Sequence, residues 1–259
     1  MKLTNIKPIH VTGFFGDYVG YSHSFHKRMV FLLRASFEEA IDNDFCVKNP
    51  AKKIKPKGVM PEEKTVFSAE QVKQILKFAE TDELFGIPVY ILFNTRIRSG
   101  EMRALTGNKF DFENCILRVD QAVKRGGELG LPKHDKKRIV TLEPEVVEYL
   151  STRINRNDRY IIGDNHYVTK SGFEGRYRNF AARLNKYLAN IGAEPIDMET
   201  AHKVRHTVST LWQANGMSRE LAGELLGHGC VEVTNGYTHT QLKTLQEVVR
   251  KCGIARNLE

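Results

Sequence analysis

Three residues able to handle a proton and an anion stand within one short stretch, "AHKVRHTVSTLWQANG", residues 201–216. On a helix, His202 and Arg205 are three apart and therefore neighbours, and His206 lies beside His202 four residues on. An arginine grips an anion's oxygens with a planar fork of donors. An imidazole next to it can give or take a proton near neutral pH. Two other readings stand beside this one. His202 and His206 have the spacing of a zinc-protease helix, but Lys203 occupies the position where that motif needs Glu. A solvated helix face with incidental histidines fits the stretch as well.

Other reactive residues come in a definite order along the chain. "NTRIRSGEMRAL" places Arg98 three residues before Glu101 near a helix start, and a carboxylate there can orient the guanidinium. "LPKHDKKRIVTL" places Lys133 at the head of a predicted strand, in a turn able to bend over a site. "LLGHGCVEVTNGYTH" adds His228 just past Gly227, then Tyr237. A glycine at a helix exit permits the tight turn that would aim His228. Taken singly, each has an ordinary explanation: a surface lysine, or a packing tyrosine among nine.

The elements that must position these residues can be read from pattern. "FHKRMVFLLRASFEEAIDND" spaces Met29, Leu32, Leu33, Phe37 and Ile41 as a helix stripe, with Lys27, Arg28 and Arg34 on its other face. "VKNPAKKIKPKGVMPEEK", residues 47–64, carries Lys48, Lys52, Lys53, Lys55 and Lys57 among three prolines. Prolines exclude helix and central strand, so it reads as an extended basic linker able to lie along a phosphate backbone. Ser68 and Gln71 form a capping box that opens the next helix. A buried helix over about 84–94 follows, with Pro88 in its first turn, and then a helix ending at Gly107. In residues 110–142 the period changes, and "ILRVDQAV" and "RIVTL" predict a small antiparallel sheet. Beyond it the pattern is helical to the end, with caps at Thr200 and Ser218. In the tail, Leu242, Leu245, Val248 and Val249 are spaced to pack.

Composition narrows the class. The 259 residues suffice for one large domain or for one full domain plus part of another. Thirty-nine Lys and Arg against 31 Asp and Glu give a net charge of +8, which favours an anionic partner, nucleic acid first. Cys46, Cys115, Cys230 and Cys252 form no C-x-x-C pair, so neither a zinc ribbon nor a disulfide framework is expected. They read as reduced thiols in a cytoplasmic protein. The start of the chain lacks the apolar core of a signal peptide. The run "IPVYILF" is far too short to span a bilayer, so no membrane partner is expected.

The ordered set R-x-x-E, a hairpin lysine, H-x-x-R-H, L-G-H and Y resembles the catalytic domain of the tyrosine recombinases, the phage and conjugative-transposon integrase family. The resemblance covers about 66–259, and "FEEAIDNDFCVKNPAKKIKPK" resembles the end of that family's core-binding domain. It implies a mainly α fold with a small antiparallel β-sheet. The expected division is a partial helical core-binding, DNA-clamping domain over 1–57, a linker over 58–65 and a catalytic domain over 66–259. Arg98 and Arg205 match the arginines that hold the scissile phosphate. Lys133 matches the general acid to the leaving 5′ oxygen. His202 and His228 match the histidines that assist proton transfer. Tyr237 matches the nucleophile, and Glu101 the acid that supports the first arginine.

The implied activity is site-specific strand exchange through a 3′-phosphotyrosyl intermediate, by a homotetramer on double-stranded DNA sites, with accessory DNA-bending proteins as further partners. Neither metal nor cofactor is implied, and the sequence shows no carboxylate cluster suited to Mg²⁺. DNA contacts are expected from Lys27, Arg28, Lys52, Lys53, Lys55 and Arg96. The family has T-G-x-R where this chain has Thr95-Arg96-Ile97-Arg98, so Arg96 would touch the DNA backbone or disturb the turn that aims Arg98. The N-terminal part is shorter than a complete core-binding domain. Two alternatives remain: a catalytically impaired DNA-binding protein on the same scaffold, and a type IB topoisomerase-like enzyme. The tail is expected either on a neighbouring protomer or folded onto its own domain.

Overall fold

The structure is a computed structural model that describes residues 2–60, 65–133, 137–218 and 239–254, without the side chains of 239–242. The chain divides into two compact units, Met1–Lys64 and Thr65–Glu259.

The first unit is built on α1 (Pro8–Gly16) and α2 (His23–Asp42). Pro8 sits in the first turn of α1, where its missing N–H costs nothing. The Ser22 hydroxyl caps α2 by accepting from the Phe25 N–H. Val11, Phe15, Val30, Phe37 and Ala40 form the core with Cys46 and Ala51. Of the predicted α2 stripe, Met29, Leu33, Phe37 and Ile41 face this core, while Leu32 is exposed. The stretch after α2 departs from the linker reading over residues 47–60; residues 61–64 lie outside the described residues. Its prolines do prevent helix, but the backbone returns along α2. Arg34 donates to the carbonyls of Ala51 and Ile54, and Val59 pairs with Tyr21 and His23. Arg34 is thus held by its own unit.

In the second unit, α3 (Ala69–Ala79) opens on the predicted capping box. Ser68 Oγ accepts from the Gln71 N–H, and Gln71 Oε1 from the Ser68 N–H. Helix α4 (Gly86–Thr95) is apolar nearly all round and is buried on every side. Helix α5 (Ser99–Arg103) is a single short turn, ending before Gly107. Gly107 is there for a different reason than a cap: a Cβ would lie 1.9 Å from the Asn155 carbonyl oxygen.

Strands β1 (Phe110–Asp111), β2 (Ile116–Val119) and β5 (Arg138–Thr141) form an antiparallel sheet in the order β1-β2-β5, with Val119 opposite Arg138. The "ILRVDQAV" segment breaks at Asp120, which turns aside to Lys109 at 2.7 Å. The remainder, β3 (Ala122–Val123), pairs with β4 (Leu129–Gly130) as a hairpin closed by Gly127 at φ +97°. Lys133 lies in the β4–β5 connection, ahead of β5 rather than at its head, and is exposed.

Helices α6 (Pro144–Ser151), α7 (Lys170–Asn190) and α8 (Ala201–Ala214) follow. The chain between α6 and α7 is turns and bends, so the helical run is not continuous. Thr200 stands at the N-cap of α8 without a side-chain cap bond. Val204, Val208 and Trp212 of α8 are buried in the core. The last described helix, α9 (His239–Cys252), adds Leu245, Val249 and Cys252 to that same core. Asn215 donates to the Cys252 carbonyl at 3.1 Å, and the Ile254 N–H to Glu143 at 3.0 Å. The tail is therefore folded onto its own domain. Of the helix predicted from Ser218 to Gly227, residues 219–227 lie outside the described residues. The fold is mainly α with small antiparallel sheets, as the sequence implied.

Candidate active site

Arg98 is the N-cap of α5, in extended backbone conformation. Glu101, three residues on, accepts from the Arg98 N–H at 2.7 Å and from its guanidinium at 3.2 Å. The same carboxylate faces β5, where Arg138 donates two parallel bonds of 2.8 and 2.7 Å. Burial alone would raise the Glu101 pKa. The bonds and charges of Arg138, then of Arg98, outweigh it, and the carboxyl is held below its ordinary range. Glu101 is thus ionised and fixed, and it aims Arg98 by backbone and side chain together. Arg138 is the residue that sequence reasoning missed. Its signal was a cation two residues before Val140 in a strand, hence on the same face as a residue of the core.

Arg205 reaches the same neighbourhood from α8. It is only 8% exposed, and it donates to the carbonyl of Arg96. Burial, followed by the positive charge of Arg98, lowers its pKa to about 10; Glu101 opposes this and Arg138 adds to it. Arg98 and Arg138 share the Glu101 carboxylate, and Arg205 bonds the backbone two residues before Arg98, so these side chains gather at the start of α5.

Arg96 differs from its expectation. It is 2% exposed, so it is not placed to touch a DNA phosphate. Its guanidinium stacks on the Trp212 indole at 4.3 Å and donates to Ser209 Oγ. The turn closes with Arg96 in place. Arg96 itself adopts the left-handed conformation, φ 56° and ψ 20°, and its N–H closes α4 on the Leu92 carbonyl at 3.0 Å. That is the geometry glycine ordinarily supplies at a helix end. Burial and then the Arg205 charge lower its pKa to about 9.

His202 and His206 stack edge to face on α8 with ring centroids 4.5 Å apart. His202 also lines a cavity of about 350 Å³ with Ser99 and Arg103, so the first turns of α5 and α8 face one space. Four arginines against one glutamate leave this centre with an excess of positive charge. An anion at the more open Arg98 relieves like-charge repulsion and gains charge-assisted hydrogen bonds.

The structure brings together Arg98, Glu101 and Arg205; His202 stands three residues before Arg205 on α8 and lines the cavity that Ser99 also lines. Lys133 is described on the β4–β5 connection, without a described bond to that group. His228 and Tyr237 lie outside the described residues. Lys27, Arg28, Lys52, Lys53 and Lys55 are exposed on the first unit.

Comparison with known proteins adds a lineage. The family model described as "Phage integrase family" matches residues 65–243. The tyrosine recombinase XerC of Chlamydia muridarum is 24% identical over 229 residues, covering 86% of this chain and 69% of that protein. The transposase of transposon Tn916 from Enterococcus faecalis is 26% identical over 245 residues, covering 85% of this chain and 59% of that protein. The chain thus spans only part of each relative's length. Among solved structures, the Tn1549 transposon integrase in complex with a circular-intermediate DNA superposes with a TM-score of 0.66 at 21% identity. That alignment covers 95% of this chain and 86% of that one, and it shows a shared fold.

Proposed function

The chain belongs to the phage integrase family, and from that premise we propose that it is a site-specific DNA recombinase that cuts and rejoins strands through a 3′-phosphotyrosyl intermediate. The observation that carries the reading is the braced pair Arg98 and Arg205. They come from separate elements, each is held by a fixed acceptor, and both belong to one cationic centre.

The chemistry follows from that centre. The Tyr237 phenol oxygen attacks phosphorus, the bond to the 5′ oxygen breaks, and a 3′-phosphotyrosyl ester forms. A phenol with pKa near 10 is only about 10⁻³ ionised at pH 7, so it needs a base or a cationic setting to attack. The matched histidines His202 and His228 serve that transfer. Lys133 gives its proton to the leaving 5′ oxygen. Negative charge builds on the non-bridging oxygens, where Arg98 and Arg205 meet it without reorganising. One ester replaces another, so a 5′ hydroxyl from a second duplex can reverse the attack with no outside energy source.

Exchange between two duplexes breaks four strands. With one Tyr237 per chain, four copies on double-stranded DNA are required. The exposed lysines of the first unit supply sequence-independent attraction to the backbone.

The test uses nicked suicide duplexes recovered from a randomised library. Wild type should give a covalent protein–DNA band on a denaturing gel, and Tyr237→Phe should not. Tight, salt-sensitive binding with no covalent band from wild type would instead establish a DNA-binding protein. Relaxation of supercoils by a monomer without joining of sites would establish a topoisomerase.

A further inference from the structure

We propose that Arg96 is a positioning residue for Arg205: it fastens the turn that carries Arg98 to the helix that carries Arg205, by its stack on Trp212 and its bond to Ser209. Its kinetic consequence rests on the strand-exchange reading above; its geometric consequence does not.

The argument begins with what the position needs. A left-handed residue closing α4 is easiest as glycine, since an L side chain is strained there. A buried guanidinium is a further cost. Among the described residues, Nε and Nη1 of Arg96 have no hydrogen-bond partner, and the neighbouring charge is another arginine. Neither feature favours folding, so an account by stability alone does not explain the residue.

Its geometry does. Arg205, Ser209 and Trp212 occupy positions i, i+4 and i+7 of α8, one stripe of the helix. Arg96 touches all three. Its carbonyl accepts from Arg205 Nη1, its Nη2 donates to Ser209 Oγ, and its guanidinium plane lies over Trp212. Ser209 in turn donates to the Arg205 carbonyl at 2.8 Å, so both atoms that bond to Arg96 belong to the same helical turn. Two residues beyond Arg96 is Arg98. A side chain pinned at Ser209 and Trp212 therefore fixes the height of the 96 carbonyl against α8, and with it the spacing between the two guanidiniums. Glycine would offer the same carbonyl with nothing to hold it in register.

The experiment compares the full chain with Arg96→Gly, Ser209→Ala and the double variant. Trp212 is the sole tryptophan, so its emission reports the stack directly, and thermal unfolding followed there reports the unit's integrity. Arginine side-chain NMR reads Arg205 without DNA. Wild type should show separate, slowly exchanging Nη protons for Arg205. In Arg96→Gly these should merge while the melting temperature holds or rises, and Ser209→Ala should merge them in part. With a nicked duplex from the library selection, the single-turnover rate of adduct formation should fall by about 10²-fold, with the duplex Kd within about twofold. The double variant should be no slower than Arg96→Gly. Unchanged Arg205 resonances in both single variants overturn the proposal, as does an unchanged adduct rate in Arg96→Gly. If wild type forms no adduct on any duplex, the strand-exchange reading falls, and the Arg205 resonances alone decide the role of Arg96.

Discussion

The two units hold their cations in opposite ways. In the first, Lys52, Lys53 and Lys55 stand in water on a loop pinned from beneath by Arg34. In the second, Arg96, Arg138 and Arg205 are nearly removed from water, and each is bound to a named acceptor. A hydrated cation on a long stem attracts phosphate at a distance, is screened by salt and fixes little. A buried guanidinium pays a desolvation cost, and in return its direction is set. Positive charge therefore takes two forms here: on the proposed function, the first unit would gather DNA and the second would orient one phosphate.

The largest expected consequence falls on Glu101. Its carboxylate is the shared partner of Arg98 and Arg138, and both it and Arg138 are buried. Glu101→Ala strands Arg138 as an uncompensated buried charge. We expect a loss of about 3–5 kcal/mol, read as a lower urea midpoint of Trp212 emission. Lys53→Ala should stay within about 0.5 kcal/mol. Equal midpoints for the two variants would erase the contrast between the units.

Next comes direction against charge. Arg205→Lys keeps the positive charge and loses the fork. If orientation is what the second unit supplies, adduct formation should slow by about 10²–10³-fold with little change in duplex affinity. A rate within threefold of wild type would mean that point charge suffices there, as it does for the lysines.

The contrast also marks what a linear reading can reach. Arg98, Glu101, His202 and Arg205 were legible because each pair lies within one helical turn, and local spacing survives folding. The Ser68 capping box and the buried α4 were legible for the same reason. Arg138 was not, because its partner is 37 residues away and strand pairing decides the meeting. Arg96, expected at the DNA backbone or as a disturbance of the turn, is instead buried against residues that local spacing cannot reach: Ser209 is 113 residues away, and no local rule tells a surface arginine from one covered by a distant tryptophan. The lysine-rich stretch misled in the other direction. Its prolines and charges spell a linker, yet Arg34 satisfies its carbonyls and folds it back. Of the tail's spaced residues, Leu245 and Val249 join their own unit's core and Val248 packs against it, while the Leu242 side chain lies outside the described residues; spacing alone could not say whose core they join.

A smaller effect separates the units by pH. The Glu101 carboxyl lies below its ordinary value of 4.5 in the folded state, because the arginine bonds and charges outweigh burial. A depressed carboxylate contributes stability that is complete above the unfolded pKa and is lost as pH falls through the folded one. The stability gap between wild type and Glu101→Gln should therefore be level above pH about 4.5. Below that it should narrow by at most about 1.4 kcal/mol per pH unit. A gap that widened on acidification would mean that Glu101 is protonated in the native protein, and the account of how Arg98 is aimed would go with it.

The smallest effects per residue belong to the exposed lysines, and they are visible chiefly in salt. Each phosphate contact contributes about 0.9 to the slope of log K against log salt on duplex DNA. Replacing Lys52, Lys53 and Lys55 by alanine should lower the slope by up to about 2.7, leave the melting of the second unit unchanged, and weaken binding alike on every sequence. Arg34→Ala tests the same surface from beneath. Arg34 meets no phosphate if its donors stay on Ala51 and Ile54, so the direct loss of slope should be small. The first unit should instead melt earlier, because two carbonyls lose their partner. A slope falling by a full 0.9 with unchanged melting would show that Arg34 leaves the loop for the DNA. The line between gathering and orienting cations would then run through the first unit rather than between the two.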